Sequence, residues 1–179
     1  VLAGKGGHGK AMRALRAGGA KIDHQVNSGG TALFVASQYG NFEAVQAMLA
    51  GGAKTDIQDE ESVTALKIAS QNGHGEVVQA LLAAGADVDH PSKDGVTALQ
   101  MAVSKNYTAI VKNLLANGAD VNHRDSESKT ALYFASAGGH GGIVRILLDG
   151  GAEVNARTDD GWTALSVASY YGREGIVQA

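Results

Sequence analysis

Two spacings of apolar residues are superposed along the chain. Locally they recur at three- and four-residue intervals, as at Val77, Val78, Leu81 and Leu82, which lines one face of a helix. Over a longer distance the whole pattern returns: Thr-Ala-Leu begins at Thr31, Thr64, Thr97, Thr130 and Thr163, always 33 residues apart. Other columns keep the same step. Ala36, Ala69, Ala102, Ala135 and Ala168 follow the triplets, then Val45, Val78, Val111, Val144 and Val177, then Leu49, Leu82, Leu115 and Leu148. The pairs Gly52-Ala53, Gly85-Ala86, Gly118-Ala119 and Gly151-Ala152 close each period, and the register runs back through Ala3, Met12, Leu15 and Gly19-Ala20. Residues 1–179 therefore read as one domain: a partial repeat 1–25, whole repeats 26–58, 59–91, 92–124 and 125–157, and a partial repeat 158–179.

Each repeat predicts a helix, a turn, a second helix and a loop. Threonine is a good N-cap, alanine and leucine open a short helix, and Gly40, Gly73, Gly139 or Gly172 ends it. The second helix stops at a glycine such as Gly85, and the stretch from Asp87 to Gly95, rich in turn formers, projects as a loop or hairpin. Helices this short are marginal alone. Their stability has to come from each repeat covering the apolar face of its neighbour, which predicts an all-α, quasi-one-dimensional stack.

A 33-residue repeat reading D-x-x-G-x-T-A-L, then A-S-x-x-G-H, then V-V-x-x-L-L-x-x-G-A-D-V-N resembles the ankyrin repeat across essentially the whole chain. The family's usual core is T-P-L-H. Here Ala32, Ala65, Ala98, Ala131 and Ala164 replace its proline, and Phe34, Lys67, Gln100, Tyr133 and Ser166 replace its histidine. Alanine is well tolerated in a first helical turn, whereas the family's Thr–His hydrogen bond cannot form without the histidine. The resemblance implies an all-α solenoid of stacked helix-turn-helix repeats joined by projecting β-hairpin-like loops. It also implies a non-catalytic protein–protein interaction scaffold or adaptor, which binds a peptide or folded protein on its concave face.

Composition narrows the remaining classes. The chain has 44% hydrophobic and 18% charged residues, too apolar for disorder, and a net charge of −3, which gives no basic field for nucleic acid. The absence of cysteine removes disulfides, zinc–thiolate sites and cysteine nucleophiles, and fits a reducing compartment, cytoplasmic or nuclear. No apolar run is long enough for membrane insertion, and the N-terminal residues do not form a signal peptide. The first residue is not methionine, and neither terminal repeat carries a polar cap, so further repeats or another domain are expected on at least one side. That leaves a second reading, a regulatory or tethering segment of a larger enzyme or channel.

Motifs that suggest chemistry dissolve into the repeat. Gly4 to Lys10 fits G-x-x-x-x-G-K, but Ala11 stands where a magnesium-binding Ser or Thr belongs. The segment shares the register of Ser37–Glu43 and Ser70–Glu76, so an inter-helix turn is the better reading and a nucleotide-binding enzyme the weaker. The histidines fall into two columns, His8, His74 and His140, and His24, His90 and His123. Members of one column stand at least a repeat apart, about 10 Å, too far to share an ion held at about 2 Å. They are expected to bond neighbouring backbone. Neither a catalytic constellation nor a cofactor or metal site is expected.

Recognition is expected where repeats differ from one another. The only Trp, Trp162, and three of the five Tyr, Tyr133, Tyr170 and Tyr171, occupy variable columns of the last two repeats. Trp, Tyr and Arg dominate binding hot spots, which makes these residues and Arg157 the expected anchors, with Tyr39 and Lys129 on the same surface. The alternative is that Tyr170 and Tyr171 cover the turn or pack on a following repeat. Loop tips carry Asp59, Glu60, Glu61, Asp94, Asp125, Glu127, Asp159 and Asp160 against Lys93, Arg124 and Arg157. Such an acidic edge favours a partner with basic residues, and Asp59, Glu60 and Glu61 are taken as a secondary patch. That these are ordinary turn carboxylates is the competing and slightly stronger reading.

Overall fold

Every complete Thr-Ala-Leu triplet starts a helix in the same way. In the computed structural model, which describes residues 18–177, Thr31, Thr64, Thr97, Thr130 and Thr163 are extended N-caps. Each hydroxyl accepts the backbone N–H three residues on, satisfying one donor that the first helical turn leaves unpaired. Two caps are reciprocal: the side chains of Gln100 and Ser166 reach back to the N–H of Thr97 and Thr163. Gln100 also donates to the carbonyls of His123 at 3.2 Å and Lys129 at 2.8 Å, so a residue at the family's histidine position ties its repeat to the next.

The chain forms two compact units, divided between Asp87 and Val88 just after a helix pair. The first holds α1 (Ala32–Gln38), α2 (Phe42–Ala50), α3 (Ala65–Asn72) and α4 (Gly75–Ala83). The second holds α5 (Ala98–Ser104), α6 (Thr108–Ala116), α7 (Ala131–Gly138), α8 (Gly141–Asp149), α9 (Ala164–Tyr170) and α10 (Glu174–Val177). There are no strands among the described residues. Within the first unit α1 packs on α3 and α2 on α4; within the second, α5, α7 and α9 pack in order, as do α6, α8 and α10. The expected helix-turn-helix stacking is present in each unit. The Gly4–Lys10 segment, His8 and the backward register at Ala3, Met12 and Leu15 lie outside the described residues.

Burial follows the columns. Leu33, Leu66, Leu99 and Leu132 are 0–2% exposed, and Val45, Val78 and Val111 are fully buried. Full burial of such a side chain stabilises by about 1.5–3 kcal/mol, so the repeat spacing itself specifies the stack. Leu165 occupies the same column and is 56% exposed.

Loops are held across repeats by backbone and carboxylate bonds. Asp59, Ser92, Asp125 and Thr158 each donate their N–H to the carbonyl four residues on, at 2.9–3.1 Å, giving the expected hairpin-like turn without a strand ladder. Neighbouring turns are joined by Glu60 to Ser28, Ser126 to Asp94, and Asp159 to Glu127, each N–H donating at 3.0–3.2 Å. This approach is close enough that a Cβ on Gly95, whose φ is +77°, would lie 2.7 Å from Ser126 N. A second ladder runs beyond the second helices: the side chains of Asp23, Asp56, Asp89 and Asn122 accept the N–H groups of Lys54, Asp87, Asp120 and Glu153.

Leu99→Ala should lower the unfolding free energy in urea by about 2–5 kcal/mol, since Leu99 is fully buried. Leu165→Ala, in the same column, should change it by less than about 0.5 kcal/mol. Equal effects would contradict the packing described.

Candidate functional site

The exposed end of α9 and the turn before it gather the residues expected to recognise a partner. Thr158 caps that turn twice: its N–H donates to the Trp162 carbonyl at 2.9 Å, and its hydroxyl accepts the Trp162 N–H at 3.0 Å. Trp162 therefore leaves the turn on a fixed backbone. Its ring meets Tyr170 edge-on, with centroids 5.4 Å apart and planes at 77°, and Tyr170 meets Tyr171 at 5.1 Å and 82°. The three rings brace one another in the edge-to-face arrangement that aromatic quadrupoles favour. They remain open to water, with Trp162 37%, Tyr170 71% and Tyr171 53% exposed.

Tyr133, one repeat earlier, makes different contacts. Its ring packs edge-on against Phe134 at 5.9 Å, and Lys129 Nζ stands 5.7 Å from its centroid. Lys129 also donates to Glu127 Oε2 at 2.7 Å. The Glu127 carboxylate holds the Lys129 ammonium above its ordinary value of 10.5, against the opposing effect of partial burial. Arg157 is exposed, its carbonyl accepting from Arg124 Nη1, while Arg124 Nη2 pairs with Glu153 at 3.3 Å. Asp160 is exposed, and among the described residues neither it nor Arg157 forms an ion pair.

The other expected positions belong to the first unit. Tyr39 is 69% exposed at the end of α1. Glu60 and Glu61 are exposed at the tip of the following repeat's turn, but Asp59 turns inward to its own loop. One Asp59 oxygen accepts the N–H groups of Glu61 and Val63, both at 2.9 Å. Asp125 does the same for Glu127 and Lys129 at 3.0 and 2.8 Å. These two carboxylates therefore act as turn caps, whatever their charge contributes at longer range.

Two histidines, one from each column, contact the backbone of a neighbouring repeat as expected. His74 Nε2 faces the Gln38 carbonyl at 3.1 Å and His123 Nε2 the Gly95 carbonyl at 2.8 Å. Among the described residues no three His, Asp or Glu side chains converge as a metal site, and no helix is long and apolar enough to cross a membrane.

Sequence reasoning missed two contributors. Phe134 braces Tyr133, and its only signal was an aromatic directly following another. Ser128 donates to Asp159 Oδ1 at 2.6 Å, and its signal was a serine, as at Ser62, in a column otherwise held by Gly29, Gly95 and Gly161.

A family model described as ankyrin repeats, in three copies, matches residues 1–92, 36–125 and 99–179. No curated protein matches the chain.

Because its pKa is raised in the folded state, the Lys129 contribution to stability is fully present below about pH 10.5 and is lost as pH rises through the raised value. Glu127→Gln should return the Lys129 titration, followed by NMR at its ε-carbon, towards the ordinary lysine value. An unchanged titration would show that the carboxylate is not its cause.

Proposed function

This chain belongs to the ankyrin-repeat family, whose members generally act as protein-interaction modules and are typically non-catalytic, and from that premise we propose a docking role for its variable surface. The partner is a peptide or folded protein. The observation that carries the reading is the exposed cluster of Trp162, Tyr170 and Tyr171. Three large rings standing in water are costly, and covering them releases about 25 cal/mol for each Å² of apolar surface buried. Their mutual bracing also means that little side-chain freedom remains to be lost on binding, which favours affinity.

Tyr133 and Lys129 extend this surface on the preceding repeat, and Arg157 lies at its loop edge. Asp159 and Asp160, in the turn that carries Trp162, favour a partner segment with Lys or Arg beside an apolar anchor. In the first unit, Tyr39 is a further exposed aromatic and Glu60 and Glu61 form the secondary acidic patch, while Asp59 supports its loop. Rigid display is the mechanism: the buried columns hold the helices, the helices hold the turns, and binding proceeds with little backbone rearrangement.

A library of random displayed peptides tests the reading whatever the partner's identity. The parent chain should select ligands enriched in Arg or Lys next to apolar residues. Trp162→Ala combined with Tyr170→Ala should lose most of that capture, about 2 kcal/mol or more, with a nearly unchanged melting curve. Undiminished capture by this variant, or no selection by the parent, would remove the assignment.

A further inference from the structure

The expected recognition residues of the second unit form two groups that no ring contact joins. One is Lys129 with Tyr133; the other is Trp162 with Tyr170 and Tyr171. Each group hangs from its own turn, 125–129 and 158–162. The packing of α9 on α7 sets the layer spacing, and the joint between the two turns sets how the groups they carry are aligned across it.

That joint has two bonds. The Asp159 N–H donates to the Glu127 carbonyl at 3.2 Å, and Ser128 Oγ donates to Asp159 Oδ1 at 2.6 Å. The first has counterparts in the other turns, in Glu60 to Ser28 and Ser126 to Asp94. The second is a side-chain bond, and it comes from a residue in an unusual conformation. Ser128 has φ +60°, in the left-handed region that residues with a Cβ rarely adopt. Of the equivalent positions, Gly29, Gly95 and Gly161 have φ between +77° and +80° and carry no side chain, whereas Ser62 shares the conformation of Ser128 at φ +58°. Glycine would meet the backbone requirement of this turn without strain. Serine meets it with strain and adds one hydrogen bond to the turn bearing Trp162.

Resting on the docking role above, we propose that Ser128 is a positioning residue of the binding surface, its bond to Asp159 setting Trp162 in register with Lys129 and Tyr133. Ser128 touches no ring itself. Its hydroxyl orients the Asp159 carboxylate, Asp159 stands one residue inside the turn closed by Thr158 and Trp162, and the indole follows that turn. Ser62 carries the same backbone strain, so what distinguishes Ser128 is the bond of its hydroxyl to Asp159 in the turn that bears Trp162.

Trp162 is the only tryptophan, so its fluorescence and indole N–H resonance report on this turn alone. Ser128→Ala removes the hydroxyl and leaves the backbone constraint in place. Acrylamide quenching of Trp162 should rise and the indole resonance shift, while the melting temperature stays close to the parent's. Ser128→Asn should restore the parent signals, because asparagine tolerates this conformation, as Asn106 does at φ +60°, and supplies an amide donor. Asp159→Ala should reproduce the Ser128→Ala signals and, combined with it, add nothing further.

A peptide selected by the parent chain provides the second readout. Its affinity should fall about tenfold in Ser128→Ala and recover in Ser128→Asn. If the Trp162 signals of Ser128→Ala match the parent's, or the peptide binds it equally well, the positioning role is overturned while docking on the aromatic cluster stands. If Trp162→Ala with Tyr170→Ala leaves peptide capture intact, docking itself is overturned, whatever Ser128 does.

Discussion

The constraint on which everything else depends is that no repeat can bury its own apolar face. Helices of four to nine residues have too few internal hydrogen bonds to persist in water alone. Their leucine and valine columns become useful only when the next pair lies against them, and Leu33, Leu99 and Leu132 show the result. Stability in such a stack is close to a sum of repeats and nearest-neighbour contacts. A side chain can then be free for recognition only if it lies outside the columns.

Two ladders convert that packing into fixed loop positions. The Asp and Asn side chains beyond the second helices, and the backbone bonds between successive turns, repeat at the period of the core. Hydrogen bonds are directional where apolar contacts are not. They fix the orientation of each turn as well as its position, and the variable side chains inherit that order. A carboxylate consumed in this task, such as Asp59 or Asp125, has less to offer a ligand than an exposed neighbour such as Asp160, which has no ion partner among the described residues. Acidity at the loop edge is thus two populations with different work.

The aromatic surface shows how irregular residues use a regular support. Trp162 replaces Lys129 one period on, and Tyr170 and Tyr171 replace Ala137 and Gly138. Bulk enters at positions where the previous repeat is small, so the rings stand proud of the helix face and brace each other. Lys129 over Tyr133 shows a cation already seated on an aromatic face of the same unit.

Periodicity alone determined the repeat, its threonine caps and most of the buried columns, because a residue recurring every 33 positions takes the same place in successive layers, Leu165 being the exposed exception. It also carried Trp162, Tyr170 and Tyr171 as a group outside the columns, but not their exposure, since Lys67 and Gln100 also vary between repeats and are buried. Only the tertiary structure decided how those positions combine. It separated Tyr133 from the Trp162 cluster, turned Asp59 into its own loop and brought Ser128 to Asp159. Those outcomes depend on side-chain directions and hydrogen-bond geometry between residues of different repeats, and no spacing along one chain encodes a direction in space.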